Sequence, residues 1–230
     1  MRNLTGANAI SVLLFGVAAT TVYFLTLYLQ QILGYSALLT GLAFLPNAVL
    51  VGISATVAGK MVGRLGVRIL LAASLAVLAV GELLFIRIGT DSGYVAVILP
   101  GIVLNAVGLG GSFVAASVAA TSGVADRDQG LATSLFTAAQ QIGAAIGIAF
   151  LVVLAAGTTA LPGDPSDVVT GYRWAFAGAT AFAVLALAIT VIVLRGREHN
   201  SPQTTPAETM PQAPCPPCPK TEPTGRVNAR

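Results

Sequence analysis

Charge is what this sequence has least of. Lys, Arg, Asp and Glu make up 9% of its 230 residues, where a soluble domain carries roughly a quarter. Hydrophobic residues make up 55%, and the mean hydropathy is +0.83. So few charges cannot cover a surface that faces water, which excludes a soluble globular protein and leaves an integral membrane protein. The net charge of +3 is small and dispersed, which sets nucleic-acid binding aside.

Cysteine and histidine are almost absent. Cys215 and Cys218 are the only cysteines, so the apolar part holds no disulfide framework. Their C-P-P-C spacing resembles half of a metal site, but the one other soft ligand is His199, too few for zinc. No metal and no cofactor is expected. His199 is also the only histidine. No nucleophile–base pair and no phosphate-binding glycine loop after a strand is present, so no catalytic residues and no enzyme are expected.

What the sequence has is long apolar runs. A helix needs about 20 apolar residues to cross the hydrocarbon core, and six segments qualify: 7–29, 37–58, 69–88, 94–120, 130–156 and 172–194. Membrane strands would be about 10 residues of alternating polarity. These runs are continuous, rich in Ala, Leu and Gly, and twice as long. The expected fold is an all-α membrane protein with six transmembrane helices. The first run is too long for a cleaved signal and is read as a span. Ser36 and Asp128 are placed to cap the second and fifth helices. The stretch from Leu161 to Pro165 lies in the longest loop. Residues 196–230 contain eight of the 12 prolines, so a disordered, Pro-rich cytoplasmic tail is expected there.

Six spans put both termini on one side. That side holds Arg2, Lys60, Arg64, Arg68, Arg127, Arg195 and Arg197, and the other holds Arg87 and Arg173. Short loops rich in Lys and Arg stay inside, so both termini are expected to be cytoplasmic, in the plasma membrane. Tyr28, Tyr35, Tyr94, Tyr172 and Trp174 fall at the outer helix ends, as an interfacial belt.

Glu82 is the only acid inside an expected span. It stands 13 residues past Ile69, roughly 20 Å along a helix and about two thirds of the way across the core. An acid there costs a few kcal/mol on the insertion scale. It reads either as a proton-titrating or cation-recognising carboxylate, or as a Glu that snorkels or pairs with a polar neighbour. Gln140 and Gln141 need partners inside the membrane and are candidates for substrate contact. Ala139, Gly143 and Gly147 form a small-residue stripe at spacing four, which suits helix packing. Pro46 interrupts the second helix, as a local kink, and frees the Leu42 carbonyl, which Asn47 is placed to satisfy, or Asn47 lines a pathway. Asn105, among Gly101, Gly108, Gly110 and Gly111, marks a flexible, closely packed part of the fourth helix; it reads as helix packing or, as a further candidate for proton coupling or substrate contact, as a ligand residue.

The passage Leu27-Tyr28-Leu29-Gln30-Gln31-Ile32-Leu33-Gly34-Tyr35-Ser36, followed by Gly41-Leu42-Ala43-Phe44-Leu45-Pro46, resembles the major facilitator superfamily. More narrowly, it is similar to the carboxy-terminal half of the fourteen-helix drug:proton antiporters of the QacA/EmrB kind. Gln140 to Gly147 resembles the family's fifth-helix pattern. Gly59, Lys60, Arg64, Gly66 and Arg68 resemble its cytoplasmic gating loop between the second and third helices of a half. Gly63 stands where that motif prefers an acid, and Val67 where it prefers a base. The resemblance covers about residues 1–195.

This likeness implies one six-helix half of a transporter. It further implies proton-coupled efflux of drugs or small metabolites by alternating access, and partners comprising the lipid bilayer, a small-molecule substrate and a second six-helix half, from a separate chain or by self-association. The alternative is a non-transporting remnant, or an accessory membrane protein packed against another transporter half.

Overall fold

The computed structural model describes residues 2–89, 94, 98–121, 124–158 and 165–193. Among these residues there are six long helices and no strand. They are α1 (Arg2–Leu27), α2 (Ala37–Leu65), α3 (Val67–Phe85), α4 (Leu99–Thr121), α5 (Gln129–Thr158) and α6 (Pro165–Val193). All six are long and apolar enough to cross a membrane. A wider π-helical turn, Tyr28–Ile32, extends α1. The tail at 196–230, with His199, Cys215 and Cys218, lies outside the described residues, as does the loop at 161–164.

Local chemistry sets the boundaries. Gly34, at φ 68°, reverses the chain. Ser36 is extended, and its Oγ accepts from the Leu39 amide at 3.3 Å, capping α2. Pro46 does not end that helix. One turn earlier, the Ala43 carbonyl accepts from the Tyr94 hydroxyl at 2.7 Å, a partner that the sequence did not disclose. Pro165 opens α6, where its missing N–H costs nothing. Hydroxyls within the spans commonly bond back to their own helix, as Thr26 does to Val22 and Thr190 to Ala186. This is how Ser and Thr enter an apolar environment without orphan groups.

Three expectations are corrected. The segment Gly59 to Arg68 is not a loop: α2 continues through Lys60 and Arg64 to Leu65, and Gly66 alone makes the turn. Gly66 has φ 79° and ψ 150°, a conformation essentially restricted to glycine. Helix α6 starts seven residues before Tyr172, so Tyr172 and Trp174 lie about two turns inside it. Tyr28 is not an interfacial ring either. It is fully buried, and its hydroxyl donates to the Gly89 carbonyl at 2.6 Å.

Helices α3 and α4 share the most extensive contact, followed by α1 with α5 and α2 with α4. Helix α6 packs against both α1 and α3. The seams are built on glycine. A Cβ on Gly81 would stand 2.8 Å from the Asn105 amide nitrogen, and one on Gly108 would stand 2.5 Å from that of Leu78. Gly143 and Gly147 of α5 abut Val12 and Gly16 of α1 in the same way. Such contacts let backbones approach closely where no hydrophobic force separates helix from lipid. Helix α2, whose Val51 and Ser54 abut Gly110 of α4, is the most exposed of the six. Only Thr40 and Ala58 of its 29 residues are buried.

Candidate functional site

Glu82 stands at the contact of three helices. Gly81, its neighbour on α3, has no side chain, so the α4 backbone closes on α3 at this level. That approach brings Asn105 Nδ2 to 2.6 Å from Glu82 Oε1, to which it donates. Helix α1 supplies the third member. Thr21 Oγ1 lies 2.7 Å from Glu82 Oε1 and 2.9 Å from the Val17 carbonyl. All three side chains are buried, at 0% exposure for Glu82, 4% for Thr21 and 5% for Asn105. Glu82 therefore does not snorkel. Its other oxygen, Oε2, has no hydrogen-bond partner among the described residues.

Among the described residues no cation stands within ion-pair distance of this carboxyl. Arg127 pairs instead with its neighbour Asp128, at 3.5 Å. Lys60, Arg64 and Arg68 stand near the Gly66 turn, and the Arg68 guanidinium reaches the Val191 carbonyl of α6 at 3.5 Å. Arg87, Asp167 and Arg173 belong to the opposite end, where Arg173 Nε donates to the Ile86 carbonyl at 2.7 Å. A buried acid without a counter-ion is costly unless it is neutral. Proton binding and release is the chemistry that this arrangement suits.

The sequence candidates thus divide. Glu82 and Asn105 come together, and Thr21 joins them. Thr21 does not stand out in the sequence, because a Thr in a span ordinarily bonds back to its own helix. Gln140 and Gln141 are on α5, half-buried and exposed respectively, and α5 packs mainly on α1 and α6. Asn47 is half-buried on α2. Ala139, Gly143 and Gly147 are all buried, and Gly143 and Gly147 lie against α1. Gly59 and Gly63 have open space where a Cβ would stand.

Comparison with known proteins adds to this geometry. Residues 8–227 match the Major Facilitator Superfamily, a span that runs past residue 195 into the tail. The chain is 33% identical over 203 residues to the puromycin resistance protein pur8 of Streptomyces alboniger, covering 83% of this chain and 40% of that one. It is 34% identical over 201 residues to the cephamycin export protein CmcT of Amycolatopsis lactamdurans, covering 86% and 40%. It is 30% identical over 186 residues to the lincomycin resistance protein of Streptomyces lincolnensis, covering 79% and 38%. The chain thus spans about two fifths of the length of these curated relatives.

Proposed function

The chain belongs to the major facilitator superfamily, a family of multi-pass membrane transporters, and on that premise we propose that it is one six-helix half of a drug or metabolite exporter, with proton exchange at Glu82 coupled to transport. The observation that carries this reading is a carboxyl at 0% exposure inside a membrane helix, joined to α1 and α4 and without a counter-ion among the described residues. The relatives named for resistance or export support the substrate class, and the sequence likeness to the QacA/EmrB antiporters supports the proton. Alternating access would come from rocking of this half against another, which would open and close the α1–α3–α4 contact to water. No enzymatic activity is proposed.

The second half is the proposed partner, alongside lipid and substrate. Helix α2 leaves Leu38, Leu42, Leu45, Val49 and Ile53 exposed, and α5 exposes Thr133, Ser134, Thr137 and Gln141. On this reading these two faces meet the other half, and Gln140, Gln141 and Asn47 stand where a substrate between the halves would touch them. Lys60, Arg64 and Arg68 hold the Gly66 turn on the cytoplasmic side of the plasma membrane, with both termini, and act at the gate there.

The test is antibiotic efflux from cells, and from everted membrane vesicles, that carry the full chain. Puromycin, a cephamycin and lincomycin form the substrate panel. Efflux that depends on the proton gradient and falls at least tenfold in Glu82→Gln is the expected result. Gradient-driven efflux that persists in Glu82→Gln would remove Glu82 from the coupling.

A further inference from the structure

Thr21 has one hydroxyl hydrogen and two oxygens within reach: the Val17 carbonyl at 2.9 Å and Glu82 Oε1 at 2.7 Å. One hydrogen makes one well-aligned bond, so it does not serve both fully. If the hydrogen is on Val17, the 2.7 Å contact needs its hydrogen from Glu82, so the carboxyl is the acid. If the hydrogen is on Glu82, the Val17 carbonyl keeps only its backbone partner, and the carboxyl is free to be ionised. The two protonation states of Glu82 therefore correspond to two directions of one hydroxyl.

We infer that Thr21 is the positioning residue for the Glu82 proton, accepting the Glu82 O–H in the protonated state and turning to donate to the carboxylate when the proton leaves. This rests on the proposed proton exchange at Glu82. Asn105 Nδ2 donates to Oε1 in both states, since an amide nitrogen only donates. The bare Oε2 distinguishes them. In the acid it is an uncharged carbonyl oxygen, whereas in the carboxylate it carries part of a charge with no donor facing it, which is the costlier burial. The conformation described here fits the acid.

Deprotonation then has a defined course. The Oε1–H bond breaks, its electron pair stays on the carboxylate, and the proton leaves on water admitted when the α1–α3–α4 contact opens. Thr21 keeps its own hydrogen and rotates about Cβ–Oγ1 from Val17 to Glu82. The event on α3 is thereby registered on α1, in the turn that contains Val17 and adjoins Gly16. Gly16 packs against Gly143 and Gly147 of α5. A proton between α3 and α4 thus acts beside the seam that α1 shares with α5.

Infrared difference spectra of the full chain in lipid vesicles, taken between acid and alkaline pH, test this directly. The carboxylic C=O band that disappears in Glu82→Gln is the Glu82 signal. Thr21→Val removes the acceptor of the O–H, so the band moves to higher wavenumber. Thr21→Ser restores the hydroxyl and returns the band to the wild-type position. Thr21→Ala gives the same comparison if the valine variant does not fold. A band that is unmoved in Thr21→Val or Thr21→Ala overturns the assignment of Thr21 and leaves proton exchange at Glu82 standing. A wild-type spectrum with no Glu82 band at any pH overturns both.

Discussion

Asn105 Nδ2 donates to Glu82 Oε1 at 2.6 Å from the helix that follows in sequence, and the contact exists because Gly81 lets the α4 backbone close on α3. A glycine, an acid and an amide thus form one unit spread over two helices. The glycine sets the separation, the amide supplies a donor, and the acid stands beside both. Hydrogen bonds to a group that can carry charge are among the stronger ones, and this one is sealed from lipid and water alike.

Replacing Asn105 tests that unit. Asn105→Leu keeps the bulk but leaves Glu82 with Thr21 alone, and stability should fall by about 1–3 kcal/mol, the cost of stranding a buried polar group. Thermal unfolding in detergent reads the loss. The double variant Glu82→Gln with Asn105→Leu should lose less than the sum of the singles, since one interaction is removed twice. Additive losses would mean that the two side chains do not act on each other.

The α3–α4 seam gives a steric counterpart. In Gly108→Ala the new methyl would stand 2.5 Å from the Leu78 amide nitrogen, so the helices must part. Overpacking of this kind costs about 1–3 kcal/mol. Gly59→Ala adds the same methyl to open space on α2 and should leave the melting temperature unchanged or raise it. Measuring both variants side by side separates packing from a general intolerance of glycine replacement.

Tyr28 extends the argument to the other end of the bundle. Its hydroxyl ties the end of α1 to the Gly89 carbonyl just past α3. Tyr28→Phe removes only the oxygen, and a loss of about 1 kcal/mol is expected. An interfacial tyrosine would show little change in detergent, so the thermal shift distinguishes a buried tie from a membrane anchor.

The helices were legible in the sequence because lipid demands an apolar run about 20 residues long whatever its neighbours are. Glu82 was legible for the same reason, as the only acid in such a run. Its partners were not. Thr21 lies 61 residues away in sequence from Glu82, and nothing in its local pattern separates it from hydroxyls that bond only to their own helix. Asn105 stood out as polar, but its link to Glu82 depends on the register between Gly81 and α4. The loop from Gly59 to Arg68 was misread because three glycines and three bases look like a reversal. Glycines at 59 and 63 are tolerated in a helix, whereas only Gly66 takes a dihedral that a helix cannot hold.

That last distinction yields a pair of substitutions with opposite signs. At Gly66, φ 79° and ψ 150° place any Cβ in a strained region, so Gly66→Ala should cost about 1–3 kcal/mol and loosen the α2–α3 turn. Gly66 also donates its N–H to the Val62 carbonyl at 3.0 Å and accepts from Leu70 at 3.2 Å, so the strain falls on a residue that caps two helices. At Gly63 the backbone is helical and the space around it is open. Gly63→Ala therefore removes freedom from the unfolded chain without a clash, and a gain of about 0.5–1 kcal/mol is expected. Unfolding midpoints of the two variants, measured under one set of conditions, should move in opposite directions. Equal losses at both positions would return the whole of Gly59 to Arg68 to a loop and remove the single-residue turn.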